Sequence, residues 1–248
     1  MSTLLTLHPP TPNDPRPPFA GLLSEICTDV TGARARRRGE LFGPPVLPVS
    51  ALDGAESSDG PLWVRLGTDL DRLPERDGPV LTRVEVDCPL EHLDDAVALA
   101  QGDPRPLPAP LAVFVQPGGA GRGWAAESAE RIAAAGAHPG LDAGLADADV
   151  ADFLAVLAHS DAGFVARAGS GDEVVAILAA TVAALRGDDI RAAYVGADPA
   201  PVAALSAAAA GAVREVLLGI AVVDAAAVEA HLLARGITAA LGTASPRP

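Results

Sequence analysis

The chain of 248 residues is long enough for one large α/β domain or two small ones, and its core must consist mostly of small aliphatic side chains because only 3% of its residues are aromatic. All 18 basic residues are arginine, which excludes Schiff-base chemistry, covalently attached pyridoxal phosphate and the phosphate-binding loop that ends in a lysine. The net charge of −14 repels nucleic acid phosphates and anionic lipid, so neither is expected as a general partner.

Two cysteines, Cys27 and Cys88, stand alone without CxxC spacing. The first residues lack the charged and apolar regions of a secretion signal, and no window approaches the roughly 18 unbroken apolar residues of a membrane span. We therefore expect a cytoplasmic protein with reduced thiols and no membrane association.

The N-terminal part predicts two segments that precede the main domain. Residues 1–18 are expected to be a flexible tail, because positions 8–18 carry six prolines. Residues 19–60 are expected to form an amphipathic helix followed by a linker. The helix is predicted from apolar residues at helical spacing, namely Phe19, Leu22, Leu23, Ile26 and Val30.

A short basic run follows the predicted helix at Arg34, Arg36, Arg37 and Arg38. It has two interpretations, a surface for a phosphate or an acidic partner, or a solvated helix end that pairs with the acidic body of the protein.

From residue 61 a repeated strand-then-helix pattern begins, which predicts an α/β domain over 61–243 and a flexible C-terminus at 244–248. Helix boundaries are indicated by a capping box at Ser170 and Glu173, by an N-cap at Asp224 and by stops at Gly187 and Gly236. The predicted strands are 62–66, 80–86, 111–115, 163–167, 191–195, 213–218 and 237–241, with a weaker one at 138–145.

Strands that alternate with helices at this spacing are typically parallel and joined by right-handed crossovers. The pattern predicts a (β/α) barrel, irregular or incomplete in places, and the alternative is a doubly wound open parallel sheet. In both folds, ligands bind beyond the carboxyl ends of the strands.

The strand at 81–88 is the most informative candidate, because Arg83, Glu85 and Asp87 alternate with less polar residues and give it one charged face. Inside a barrel that face would line a functional site, with Glu85 or Asp87 as a general base. At a sheet edge the same face would lie in water, with Arg83 forming an ion pair with Glu85 on its own strand or with a neighbouring residue.

Two glycine-containing turns precede predicted helices, where free backbone N–H groups favour an anion. One is 116–123, in which Arg122 adds a positive charge, and the other consists of Gly169, Ser170 and Gly171, next to Arg167. Neither matches the GxGxxG dinucleotide fingerprint, and both are also typical of plain tight connections.

The five histidines show no zinc-binding spacing, so no metal ligand set is assigned. A weaker hypothesis places a divalent cation on Glu85 and Asp87 with His138 or Asp142. The sequence identifies no cofactor.

Two functional hypotheses remain open. The first is a barrel-type enzyme, a lyase, isomerase or transferase, that binds a small anionic metabolite through Arg167 and the Gly169–Gly171 turn and transfers protons through Glu85 or Asp87. The second is a non-enzymatic scaffold or interaction protein on a degenerate barrel, which binds its partner through the N-terminal helix and the basic run.

Overall fold

The computed structural model describes residues 16–36, 38–67, 70–74 and 78–240. Residues 1–15 of the tail predicted at 1–18, and the C-terminus predicted at 244–248, lie outside these residues. Eight parallel strands form a single sheet within the described part of the chain. The strands are Leu23–Glu25 (β1), Val46–Pro48 (β2), Pro61–Leu66 (β3), Val80–Pro89 (β4), Leu111–Gln116 (β5), His138–Asp142 (β6), Phe164–Ala168 (β7) and Leu217–Val222 (β8).

The sheet order is β1-β8-β7-β6-β5-β4-β3-β2, so neighbours in the sheet are mostly neighbours in the chain. Two isolated parallel bridges, Leu23 with Phe42 and Ile26 with Val46, bring the first and last strands of this order together. The sheet therefore curls into a nearly closed α/β barrel, which confirms the predicted fold class and not the open doubly wound sheet.

Nine α-helices are described, and most of them pack around the outside of the barrel. They are Val30–Ala35 (α1), Leu93–Ala100 (α2), Trp124–Ala134 (α3), Asp147–Leu157 (α4), Gly171–Arg186 (α5), Ile190–Gly196 (α6), Ala200–Ala203 (α7), Ala207–Val216 (α8) and Ala225–Ala234 (α9). Their distribution is uneven, because four of them separate β7 from β8. Between β2 and β3 the chain forms only short 3-10 turns, at Val49–Gly54 and Ser57–Asp59.

The helix predicted from Phe19 to Val30 is wrong. Leu23–Glu25 forms β1, which pairs with β8, and α1 begins only at Val30. Leu22 and Leu23 are both fully buried, so this segment buries two successive side chains, as an interior parallel strand does and a one-sided helix does not. The segment 19–60 therefore supplies two barrel strands, β1 and β2, that the sequence had assigned to a region before the domain.

Three predicted strands in the C-terminal part also need correction. Residues 191–195 lie in helix α6, and residues 237–241 contain no strand within the described range, which ends at 240. The predicted strand at 213–218 straddles the end of α8 and the start of β8. By contrast, the weak prediction at 138–145 is confirmed as β6.

The predicted helix boundaries largely hold. Ser170 caps α5 by accepting a hydrogen bond from the Glu173 backbone N–H, and Asp224 caps α9 by accepting one from the Ala227 N–H. Gly187 ends α5 in the left-handed conformation, with φ of 75°, where a glycine has no steric penalty.

The interior of the barrel is partly apolar and partly charged. Its apolar core consists of buried side chains from five strands, among which Trp63 and Phe114 are the largest. These rings fit because glycines face them: a Cβ atom at Gly219 would lie 2.6 Å from the Trp63 ring, and one at Gly140 would lie 2.5 Å from the Phe114 ring. The remaining members of this core are Val46, Ala112, Val165 and Ala221.

Candidate functional site

The charged face of β4 points into the barrel. The strand lies between β3 and β5 in the sheet, and the Glu85 side chain is fully buried. The interpretation of this strand as a solvent-facing edge is therefore wrong. The predicted pairing of Arg83 with Glu85 is also absent from the ion pairs of the described residues, in which Glu85 pairs with Arg65 and Arg167 instead.

Arg167 reaches both carboxylates from β7. Its Nη2 donates a hydrogen bond to Glu85 Oε2 at 3.0 Å, and its Nη1 donates to Asp87 Oδ1. The guanidinium carbon also lies 3.6 Å from the centre of the Phe114 ring. Three of the residues that the sequence singled out thus meet at the carboxyl end of the barrel.

Arg65 is the fourth member of this cluster, and the sequence did not predict it. It lies on β3 opposite Glu85 in the strand register, and its Nε lies 3.8 Å from Glu85 Oε2. Burial and then the charge of Arg167 lower the pKa of Arg65, while nearby carboxylates oppose that shift. A single arginine among the apolar residues of 62–66 was the signal available, two positions after Trp63 and so on the same face.

The four side chains differ in their access to solvent. Glu85 is fully buried and the Arg167 side chain is 13% exposed, whereas Arg65 is 30% and Asp87 is 38% exposed. Glu85 therefore pairs with the two arginines from the buried interior of the barrel, whereas Asp87 and Arg65 face the opening. We name Arg65, Glu85, Asp87 and Arg167 the carboxyl-end cluster.

Several polar atoms of the cluster donate to or accept from no described residue. Three buried atoms have no hydrogen-bond partner among the described residues, namely Glu85 Oε1, Arg65 Nε and Arg167 Nε. Buried polar atoms are normally paired, so these three indicate a polar group or ordered water between the side chains.

A cleft of about 620 Å³ opens beside Asp87 between β4 and α2, and its other polar lining residues include His92, Asp95 and Asp103. Cys88 also lines it. Burial first, and then the charges of Asp95 and Glu91, raise the pKa of the Cys88 thiol, so this cysteine is protonated at neutral pH and is a poor nucleophile.

The predicted anion-binding turn at Gly169–Gly171 is already occupied by the side chain of Glu173. The Glu173 carboxylate accepts a hydrogen bond from the Gly169 N–H at 2.6 Å, while the Ser170 hydroxyl accepts one from the Glu173 N–H. A bound anion would have to displace this carboxylate. Arg167, which the sequence associated with the turn, donates instead to the carboxylates of β4.

The other predicted anion-binding residue, Arg122, is exposed in the turn before α3 and makes no hydrogen bond or ion pair with any described residue. The structure does not bring it into the carboxyl-end cluster. Its binding role stays a prediction.

The basic run at 34–38 is partly engaged, because two of its arginines contact other parts of the chain, whereas Arg38 is exposed and pairs with no described residue. Arg34 pairs with Asp59 at 2.5 Å, and Arg36 donates to the Gly43 carbonyl at 2.9 Å. Arg37 lies outside the described residues. This pattern agrees with the interpretation of the run as a solvated end that pairs with the body of the protein.

His138 lies at the amino end of β6, whereas Asp142 lies at its carboxyl end, so the two residues proposed for a cation are separated along the strand. Within the described ranges, no group of three or more histidine, cysteine, aspartate or glutamate residues is arranged to hold a metal ion.

Comparisons with protein-family models, with curated proteins and with solved structures found no match to this chain. Among the helices that the structure describes, none combines the length and apolarity needed to cross a membrane.

Proposed function

We propose that this protein is an enzyme that binds a small anionic metabolite at the carboxyl end of its barrel and transfers a proton to or from it. The observation that supports this proposal best is the meeting of Arg65 and Arg167 with Glu85 and Asp87 inside the barrel, at the end where barrels of this type carry their sites.

Anion recognition is assigned to the two arginines. Arg65 is partly exposed to the opening, and the Nε atoms of Arg65 and Arg167 donate to no described residue. A carboxylate or phosphate oxygen of the ligand would accept these charge-assisted hydrogen bonds. Because both guanidinium groups already form ion pairs with Glu85, their orientation is fixed before the ligand binds.

Proton transfer is assigned to Asp87, the more exposed of the two carboxylates. A ligand anion that accepts hydrogen bonds from Arg167 would compete with Asp87 for that arginine, and so would free the Asp87 carboxylate to act on a neighbouring carbon. Glu85 is buried out of reach of the opening, so we assign it a positioning role instead of the catalytic one that the sequence also allowed.

The nucleophiles available in the chain narrow the class of reaction. With no lysine in the chain and the Cys88 thiol protonated, covalent catalysis through an amine or that thiolate has no support. Proton abstraction next to a carboxylate or carbonyl needs only a base and a cation that stabilises the developing charge. Lyases and isomerases share this step and fit the site better than a transferase.

The test is proton exchange in D₂O, followed by ¹H NMR, with the full chain and a panel of small keto acids, hydroxy acids and sugar phosphates. We expect the wild type to exchange a carbon-bound proton of at least one compound, and Asp87→Asn to slow this exchange by about 100-fold or more. The matched control is Asp94→Asn, because Asp94 is an exposed carboxylate that pairs with Arg131 on the helical layer.

Failure of every compound to exchange, or equal exchange by wild type and Asp87→Asn, would overturn the proposal. The scaffold hypothesis stays a prediction, although the segment predicted as its N-terminal helix contains strand β1 and two arginines of its basic run, Arg34 and Arg36, contact other parts of the chain.

A further inference from the structure

A second group of arginines lies at the opposite, amino end of the barrel. Arg83 is inward-facing on β4, two residues before Glu85, and is only 9% exposed. Its guanidinium carbon lies 4.4 Å from the centre of the Trp63 ring. Its buried Nε and Nη1 atoms donate to no described residue, so the ring is the only close partner that the described structure gives this charge.

Glu85 does not neutralise Arg83 by direct contact. The Glu85 carboxylate accepts a hydrogen bond from Arg167 and lies 3.8 Å from Arg65, and no ion pair joins it to Arg83 among the described residues. Arg83 is therefore a buried cation whose nearest carboxylate is committed to other arginines.

Arg214 adds a second charge at this end. It lies in the last turn of α8, just before β8, and its Nη1 donates to the carbonyl of Leu217. It forms no ion pair with a described carboxylate. Arg214 is held at the Leu217 carbonyl, two residues before Gly219, and a Cβ atom at Gly219 would lie 2.6 Å from the Trp63 ring that Arg83 covers.

Burial lowers the pKa of Arg83 to about 10; the charge of Glu85 opposes this shift and the charge of Arg214 adds to it. Burial, and then the charge of Arg16, lower the pKa of Arg214 to about 10.

We propose that Arg83 and Arg214 form a second anion-binding site, which holds a single small oxyanion of the phosphate type at the amino end of the barrel. The physical reason is that a buried guanidinium is stable in proteins when an anion or several hydrogen-bond acceptors surround it. Among the described residues, Arg83 has only the longer-range attraction of Glu85, and its buried Nε and Nη1 atoms have no acceptor. An oxyanion has several acceptor oxygens and enough charge to serve both arginines.

His138 is a third residue near the proposed amino-end site. It lies at the amino end of β6, where its Nδ1 lies 3.1 Å from the Gly163 carbonyl. Burial and then the charge of Arg83 lower its pKa, so the ring is neutral at pH 7 and adds no third positive charge. The amino-end site is thus separate from the carboxyl-end cluster, and it does not depend on the proposed enzymatic function.

The test is isothermal titration of the full chain with inorganic phosphate at low ionic strength and pH 7. We expect Arg83→Met and Arg214→Met each to weaken binding by about tenfold or more, which is the loss expected for one charge-assisted contact. The matched control is Arg191→Met, which removes an exposed arginine that pairs with Asp147 on the helical layer and leaves both ends of the barrel intact. Arg65→Met reports separately whether phosphate also binds at the carboxyl end. Circular dichroism shows whether each variant is folded, and the two amino-end variants serve as independent replicates.

A second titration with glycerol phosphate identifies the source of the anion. Tighter binding of this ester than of the free ion assigns the site to a phosphorylated metabolite, and weaker binding assigns it to free phosphate. The proposal is overturned if the wild type binds neither compound at about 10 mM, where a millimolar site would be mostly filled. It is also overturned if Arg65→Met abolishes binding while Arg83→Met retains it, because the anion then binds at the carboxyl end.

Discussion

The two ends of the barrel use the same residue type in opposite ways. At the carboxyl end, Arg167 contacts two carboxylates and an aromatic ring, and its charge is matched. At the amino end, Arg83 lies over Trp63 and pairs with no described carboxylate. Burial lowers the pKa of Arg83 to about 10, a shift that corresponds to about 3 kcal/mol against its charged form.

The difference indicates how each end is prepared for a ligand. The matched charges at the carboxyl end fix side-chain directions before binding, which is what proton transfer needs. The unpaired charges at the amino end destabilise the folded protein, and an anion that binds them would remove this cost. Substitutions that disturb one end and spare the other test this distinction.

The largest effect is expected for Glu85→Gln. The change removes the buried negative charge that Arg65 and Arg167 share, and leaving buried charges without a partner costs about 3–5 kcal/mol of unfolding free energy. Urea denaturation measures this loss. Asp87→Asn is the matched control and should cost about 1 kcal/mol or less, because Asp87 is partly exposed. Equal losses in the two variants would show that Glu85 is not the centre of the cluster.

A smaller effect is expected for Gly140→Ala. The added Cβ would lie 2.5 Å from the Phe114 ring, which supports Arg167, and such overpacking typically costs about 1–3 kcal/mol. Gly211→Ala is the control, because Gly211 lies within α8 with open space around it and should gain up to about 1 kcal/mol in thermal stability. A destabilised Gly211→Ala with an unaffected Gly140→Ala would contradict the described packing inside the barrel.

The smallest effect is expected for the pKa of His138. Its pKa, measured by NMR titration, should lie below 6.5 and should rise in Arg83→Met, because that variant removes a neighbouring positive charge. Since folding lowers this pKa, the unfolded chain binds the proton more readily below pH 6.5, and stability falls as the pH drops from 6.5 through the folded-state pKa. An unchanged pKa in Arg83→Met would place the two side chains too far apart to share a site.

Much of the fold was accessible from the sequence, because strands such as β4 and β5 are bounded by turn residues and rich in valine. The N-terminal strand was not, since a three-residue strand buried on both faces can place leucines at helical spacing by chance. Helix α6 was mistaken for a strand because its tyrosine and valine favour strands and its alanines give little periodicity.

The candidate site was partly predictable for a physical reason. Alternation along β4 identifies which side chains share a face, so Glu85 and Asp87 could be found from one strand. The partners come from β3 and β7, whose register and position in the barrel depend on long-range pairing, and Arg65 was therefore missed. The anion site at the Gly169–Gly171 turn stays a prediction, and the carboxylate that accepts from the Gly169 N–H, that of Glu173, was visible in the capping box of the sequence.

One pair of variants tests the contrast between the two ends most directly. Arg167→Met and Arg83→Met make the same chemical change inside the same barrel, and urea denaturation at pH 7 in chloride buffer without phosphate compares their stability. We expect Arg167→Met to lose about 3 kcal/mol, because it leaves the buried Glu85 carboxylate under-compensated, and Arg83→Met to lose nothing or to gain about 1–3 kcal/mol. Similar losses in both variants would contradict the account, because Arg83 would then have a stabilising partner in the folded protein.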